Sequence, residues 1–212
     1  VVLSISSSDT GEATVTSTLT FTSANWDTAQ VVTVTGVDDD IIDGTINSTI
    51  TVTIVDAISD DQFDAVADQT VSVSTTDDDV AGFTVSETEG STGVDESGDT
   101  DIITVVLNAQ PASDVVITVT SSDTGEATVT SSLTFTSENW DTPQNVTVTG
   151  VDDDLVDGTV NSTVTIAVDD ASSDDDFDAV ADQTVSVSTT DDDVAGFTVS
   201  EPGGSTTVTE AG

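Results

Sequence analysis

Aspartate and glutamate are the residues of this chain that could carry chemistry, because the more reactive side chains are absent. The 212 residues include 42 acidic residues and no Lys, Arg, His or Cys, so the formal net charge is −42. Without His or Cys the chain lacks a Ser/His or Cys/His nucleophile pair and an ordinary zinc site, and without Lys it lacks a Schiff base. Carboxylates and hydroxyls remain, and a cation is the natural complement of so much negative charge.

The same composition excludes anionic partners. With no basic residue the chain cannot neutralise phosphates, so we expect no nucleic acid and no anionic membrane surface as direct partners. Apolar runs never exceed a few residues and the chain opens at Val1 without a signal-peptide pattern. We therefore predict no membrane insertion and no targeting segment, and we interpret the chain as a piece of a longer protein.

A repeat of 114 residues organises the chain. The segment SSDTGEATVTS begins at Ser7 and again at Ser121, and residues 1–79 match residues 115–193 at 61 of 79 positions. Self-similarity at a fixed period indicates a tandem array. We predict a partial repeat lacking its first strands over 1–79, a complete repeat over 80–193, and the first strand or strands of a third repeat over 194–212.

Within a repeat the apolar residues alternate with a period of two, as at Val115, Ile117 and Val119. This period predicts half-buried strands near 82–86, 101–107, 115–121, 127–136 with a break, 145–150, 160–168 and 183–189. The spacing is typical of an all-β protein made of tandem immunoglobulin-like antiparallel β-sandwiches. We expect the aromatic residues to be core or corner residues: Phe135, Trp140, Phe177 and Phe197.

Acidic residues concentrate in the predicted loops and at strand ends. Loops that follow every second strand gather at one pole of a sandwich, so these carboxylates should converge there. Like charges about 4 Å apart repel by roughly 1 kcal/mol even in water, so the cluster requires protonation or a hard cation. Calcium, which takes about six to eight oxygen ligands, fits better than magnesium. The acids so placed are Glu96, Asp123, Asp152, Asp153, Asp154, Asp157, Asp191, Asp192 and Asp193.

Two other interpretations of the acids are weaker. Uniform solubilising or halophilic charge would also decorate the outward strand faces, which carry mostly Thr and Ser. The loop SDDDFDAVADQ from Ser173 alternates Asp residues like an EF-hand but lacks the required Gly and terminal Glu. We interpret that loop as a solvated connection that places Phe177 in the core.

Four motifs together resemble the Calx-beta domains of sodium/calcium exchangers, integrin beta-4 and large bacterial surface proteins. They are VDESG at Val94, SDTGEA at Ser122, LTFTSENWDTPQNVTVTGVDDD from Leu133 and STTDDDVAGF from Ser188. The resemblance implies calcium held at one pole by Glu96, Asp123, Asp152, Asp153, Asp157 and Asp191 to Asp193. The matching residues of the first repeat are Asp9, Asp38, Asp39, Asp40, Asp43, Asp77, Asp78 and Asp79.

One departure from the family bears on affinity. The exchanger pattern is richer in Glu after its Asp triplet, whereas Gly158 follows Asp157 here, which implies fewer ions or weaker binding. LTFTSENWDTPQ and VDDDLVDG resemble the bacterial tandem versions, which implies a long extracellular adhesin or matrix protein at the bacterial cell surface.

The leading hypothesis for function is a calcium-rigidified spacer, stalk or fibre segment, and not an enzyme. Its partners would be calcium ions and neighbouring repeats of the same chain or other copies in a filament. The alternatives are a calcium-dependent carbohydrate- or partner-binding module and a subunit of a fibre assembled by strand donation. Because the first repeat lacks its opening strands, we expect it to expose a sheet edge and apolar core, which a preceding repeat or a donated strand would cover.

Overall fold

The computed structural model describes residues 1–201, 203–204 and 206–210. Helical structure in that part of the chain is limited to three-residue 3-10 turns, and none of its helices is long and apolar enough to cross a membrane. The strands are β1 Val2–Ser7, β2 Ala13–Val15, β3 Thr18–Thr20, β4 Val34–Gly36, β5 Thr45–Ile54, β6 Gln69–Thr76, β7 Phe83–Glu87, β8 Thr92–Asp95, β9 Thr100–Leu107, β10 Val115–Ser121, β11 Ala127–Val129, β12 Ser132–Phe135, β13 Gln144–Gly150, β14 Val160–Val168 and β15 Gln183–Thr190.

The second repeat forms a sandwich of two sheets. One has the order β12-β10-β14-β15-β8 and the other the order β11-β13-β9-β7. All neighbouring strands in them pair antiparallel except β15 and β8, which are parallel. The alternation in β10 places Val115, Ile117 and Val119 in a core that residues of both sheets share. The predicted all-β antiparallel fold is therefore confirmed.

The predicted strands occur where the period of two placed them, and the break in 127–136 has a structural cause. The chain leaves one sheet after β11 and enters the other at β12, so the alternation restarts between Val129 and Ser132. Strand β8 was not predicted. Only Thr92 and Val94 of that strand point into the core, which is too short a pattern to identify from the sequence.

Three of the four aromatic residues pack as expected. Phe135 and Phe177 are fully buried, and Trp140 packs half-buried against the same core. The prediction for Phe197 was wrong, since its side chain is 93% exposed. Its counterpart in the complete repeat, Phe83, is buried beside β9, whereas no described strand lies beside Phe197.

The first repeat has counterparts of six of the nine strands of the second repeat. Its sheets β3-β1-β5-β6 and β2-β4 correspond to β12-β10-β14-β15 and β11-β13. No described strand takes the places of β7, β8 and β9, so the outer edge of β6 is unpaired in the part of the chain that the structure describes. An open apolar cavity of about 610 Å³ lies in this repeat and is lined by residues that include Leu3, Phe21, Trp26, Ile54 and Phe63.

The two repeats touch through the acidic loop that follows β4. The N–H of Gln110 donates to the carbonyl oxygen of Asp40 at 2.7 Å, and Ile41 forms a parallel bridge with Gln110. Ile42 packs against the core of the second repeat. The loop with the acids of the first repeat is thus also the contact with the second.

Candidate metal centre

Glu96 lies at the centre of the acidic pole of the second repeat. It follows β8 directly, and its N–H donates to the carbonyl of Thr190 at 3.1 Å, while the Thr190 hydroxyl donates to the carbonyl of Val94. The Glu96 side chain is 1% exposed. Its Oε2 has no hydrogen-bond partner among the described residues. The unpredicted strand β8 therefore carries a carboxylate into the interior at the pole.

Two acids of the triplet after β15 face this carboxylate. One carboxylate oxygen from each of Glu96, Asp191 and Asp193 lies within 4.8 Å of the others. The carboxylate of Asp191 is fixed by the N–H groups of Gly158 at 2.8 Å and Asp193 at 2.7 Å. Asp193 presents a buried Oδ2 that has no partner within the described part of the chain. Glu96 and Asp193 thus each bring an unpartnered oxygen to one point, and Asp191 brings a carboxylate that two N–H groups hold in place.

The charges at this point act strongly on one another. Burial, followed by the carboxylates of Asp191 and Asp153, raises the pKa of Glu96 to about 7. The N–H donors of Gly158 and Asp193 lower the pKa of Asp191, so that this group stays ionised. Partial burial and the charge of Asp154 raise the pKa of Asp193. Repulsion among these carboxylates therefore destabilises the pole at neutral pH unless a proton or a cation is bound there.

Sequence reasoning missed Glu126, which belongs to this pole. The residue is buried, and its Oε2 lacks a hydrogen-bond partner among the described residues. Burial and the carboxylates of Asp157 and Asp123 raise its pKa. Its carbonyl accepts from the N–H of Val151, which ties it to the acidic loop. In the sequence Glu126 follows Gly125 in SDTGEA and precedes an inward-facing Ala. That pattern is the same for a buried acid as for a solvated one, so it could not identify Glu126.

The other predicted acids of the second repeat lie around this centre. Asp153 and Asp123 each stabilise a turn. The Oδ1 of Asp153 accepts the N–H of Leu155, and the Oδ1 of Asp123 accepts the N–H of Gly125. Asp153 and Asp157 act on the pKa of Glu96, and Asp123 acts on that of Glu126. The exposed acids whose charges raise the pKa of Asp193 are Asp152, Asp154 and Asp192.

The first repeat brings its predicted acids together in the same way. Asp77 accepts N–H groups from Asp43, Gly44 and Asp79, and the last two lower its pKa most. Partial burial and the charge of Asp77 raise the pKa of Asp79. Glu12 stands where Glu126 stands in the second repeat. A small cleft is lined there by Glu12, Asp38, Asp39, Asp43, Asp77, Asp78 and Asp79. The charge of Asp40 raises the pKa of Asp79, and the charge of Asp9 raises the pKa of Glu12. No described residue takes the place of Glu96.

The other acidic loop has a structural role. Asp174 is buried, and it accepts the N–H of Ser113 at 2.6 Å, the Ser113 hydroxyl and the N–H of Asp176. These bonds satisfy its carboxylate, so no free oxygens converge there. The same loop places Phe177 in the core.

Comparison with known proteins gives matches at the level of fold only. No family model matches the chain. No curated protein matches it. Solved structures similar to it include domains 4 and 5 of the S-layer protein SbsC, at 16% identity and a TM-score of 0.38, covering 89% of this chain and 70% of that chain. The apo-form Calx CBD1 domain matches at 14% identity and a TM-score of 0.40, covering 54% of this chain and 100% of that domain. The E. coli chaperone DraB matches at 6% identity and a TM-score of 0.39, covering 55% of this chain and 59% of that protein. Such low identities and TM-scores carry no argument about function.

Proposed function

We propose that the complete repeat binds calcium at its acidic pole and that the chain is a calcium-rigidified structural segment of a bacterial cell-surface protein. The observation that carries this proposal is Glu96, a buried carboxylate with an unpartnered oxygen that meets oxygens of Asp191 and Asp193. A buried carboxylate among other acids needs either a proton or a cation. Because the pKa of Glu96 is raised to about 7, protonation is incomplete at neutral pH, and a cation would balance the remaining negative charge.

The ligand chemistry selects the cation. The acidic side chains of the pole offer oxygen atoms, which hard cations prefer, and they come from loops as well as from strand ends. Calcium accepts about six to eight oxygens in variable geometry, whereas magnesium demands a near-ideal octahedron and retains its waters. Glu96, Asp191 and Asp193 would form the inner set, and Glu126, Asp153 and Asp157, whose charges raise the pKa of Glu96, are the candidates to complete it.

A structural role is supported by the position of the matching acidic loop in the first repeat. In the first repeat the acidic loop that lines the pole also supplies Asp40, Ile41 and Ile42 to the contact with the second repeat. An ion bound there would fix the loop and so stiffen the joint between repeats. A rigid joint suits a spacer or stalk, and millimolar extracellular calcium suits sites of modest affinity. The proposal involves no catalysis.

Thermal unfolding tests the proposal. Extracellular calcium modules have a Kd of about 10⁻⁴ to 10⁻³ M, so about 10 mM calcium is a tenfold to hundredfold excess, and one ion then stabilises the folded state by about 1.4 to 2.7 kcal/mol. We expect a higher melting temperature in millimolar calcium than in excess chelator, and a smaller effect of magnesium or of sodium chloride at equal ionic strength. Identical melting curves in calcium and in chelator would refute the proposal that the complete repeat binds calcium.

A further inference from the structure

Gly150, the last residue of β13, lies where two backbones approach each other closely. The residue is buried, and a Cβ atom placed on it would overlap the carbonyl oxygen of Asp95 and lie 2.8 Å from the carbonyl carbon of Asp95. It would also lie 3.3 Å from Cγ2 of Val94. Any other residue at this position would therefore push β13 away from the end of β8, and such a close approach is a common reason for a glycine in a strand.

The segment that Gly150 admits is the one that carries Glu96. Asp95 ends β8, and Glu96 follows it directly. The N–H of Gly150 donates to the carbonyl of Asp99 at 3.0 Å, so Gly150 binds the segment 95–99 as well as making room for it. One side of this segment is thus fixed by the end of β13.

The other side is fixed by Thr190, the last residue of β15. The carbonyl of Thr190 accepts the N–H of Glu96 at 3.1 Å, and the Thr190 hydroxyl donates to the carbonyl of Val94 at 3.1 Å. The strands that end at Gly150 and Thr190 each continue into acids of the pole, which are residues 152–154 and 191–193. The segment with Glu96 therefore lies between the two strand ends from which the acidic runs begin.

We propose that Gly150 and Thr190 are positioning residues of the calcium site, which bring the Glu96 carboxylate to the oxygens of Asp191 and Asp193. Neither residue offers a carboxylate to the ion, so each acts through Glu96. This inference rests on the proposed calcium function. Its geometric basis is that the buried Glu96, whose Oε2 is unpartnered among the described residues, meets the two Asp side chains from a segment held on both sides.

A displaced Glu96 would lower calcium affinity without the loss of a ligand, because ligands must be held within about 0.5 Å of their productive geometry. A methyl group on Gly150 has to displace the backbone of Asp95, which adjoins that ligand. A methyl group on Gly93 meets the carbonyl oxygen of Ser188 at 3.7 Å, which is an ordinary van der Waals contact. Since Gly93 lies in β8 itself, Gly93→Ala is the matched control for Gly150→Ala.

A calcium titration of the intact 212-residue chain, followed by the amide NMR signal of Gly158, tests this inference. That N–H donates to Asp191 Oδ2 at 2.8 Å, so its signal reports calcium at the pole of the complete repeat. Denaturant unfolding in chelator is measured in parallel, which separates a loss of stability from a loss of calcium affinity.

The variants are chosen to separate positioning from general stability. Gly150→Ala and Gly93→Ala are compared in the native background, and Gly150→Ala is repeated in a Glu96→Gln background. Thr190→Val removes the hydroxyl that donates to Val94, whereas Thr190→Ser retains it. The Thr190 side chain is exposed, so both of these variants should fold.

We expect Gly150→Ala to weaken calcium binding at least about tenfold. Thr190→Val should weaken it about two- to tenfold, which corresponds to one hydrogen bond, while Gly93→Ala and Thr190→Ser should bind like the native chain. In the Glu96→Gln background Gly150→Ala should weaken binding less than about twofold further, because a residue that acts through Glu96 has little effect once that ligand is gone.

Native calcium affinity in both Gly150→Ala and Thr190→Val would overturn the inference and leave the calcium function in place. An equal loss from Gly150→Ala with and without the Glu96 carboxylate would also overturn it, since Gly150 would then act on the repeat as a whole. If Gly150→Ala does not fold, equal affinities of Thr190→Val and Thr190→Ser would overturn the inference. A native chain whose Gly158 signal does not respond to calcium would reject the calcium function, and the inference with it.

Discussion

Replacing Glu96 by Gln should have opposite effects with and without calcium. The substitution preserves size and removes one charge from a position where burial and Asp191 raise the pKa of the carboxyl. In chelator above pH 7 the native Glu96 is ionised and repelled, so Glu96→Gln should unfold at the same temperature or higher. In calcium the variant has lost an inner ligand, so it should unfold at a lower temperature than the native chain.

The size of the effect follows from linkage. One ion at a hundredfold excess over Kd contributes about 2.7 kcal/mol. For a repeat of 114 residues 1 kcal/mol corresponds to about 4 °C, so the complete repeat should gain about 11 °C per ion. Loss of a charged ligand should weaken binding at least about tenfold and remove roughly half of that gain or more.

The assay is differential scanning calorimetry of both chains at pH 8, in chelator and in calcium. The transition of the complete repeat is the one to follow, because Glu96 belongs to it. A calcium-induced shift in Glu96→Gln equal to that of the native chain would refute the reasoning. A variant that is much less stable in chelator would refute it also, since Glu96 would then be a structural residue.

Three further predictions concern the pole, its protonation and the core. Asp153→Asn should weaken calcium binding, as a titration would show, whereas Asp175→Asn in the structural loop should not, and equal effects would favour diffuse charge. Because the folded-state pKa of Glu96 is raised to about 7, the stability that its protonated form contributes without calcium should be full below about pH 4.5 and lost as pH rises through 7. Calcium affinity should rise over the same pH range, and binding should release a proton, which calorimetry in buffers of different ionisation enthalpy measures. A calcium affinity that stays constant from pH 5 to 8 would contradict this prediction. Phe177→Ala should destabilise its repeat by about 3–5 kcal/mol, whereas Phe63→Ala should cost far less because that side chain is 45% exposed, and denaturant unfolding distinguishes the two outcomes.

Much of the fold was predictable because one physical signal dominates the sequence. Inward residues such as Val115, Ile117 and Val119 alternate with outward Thr and Ser, and a sheet with one buried face requires that alternation. Strand β8 escaped prediction because four residues with two inward positions carry too little of the signal. Phe197 was misplaced because its sequence is that of the buried Phe83, and burial depends on a neighbouring strand that no local pattern reports.

The candidate site was predictable in location but not in its internal arrangement. Acids at loop positions indicated one pole, which the structure forms. The sequence could not separate acids that offer free oxygens, such as Glu96 and Asp193, from acids such as Asp123 that bind N–H groups of their own turn. Glu126 was missed because burial of a carboxylate depends on the approach of loops distant in sequence. These distinctions depend on the three-dimensional structure.

Direct calcium binding by the intact chain tests the central claim most closely. Equilibrium dialysis at pH 7.5 in sodium chloride at near-seawater strength counts bound ions while screening diffuse attraction to the acidic surface. The account predicts saturable binding with a Kd of about 10⁻⁴ to 10⁻³ M, and a stoichiometry that falls when Glu96 and Asp193 are replaced by Gln and Asn. Binding that does not saturate, or that sodium abolishes, would contradict it.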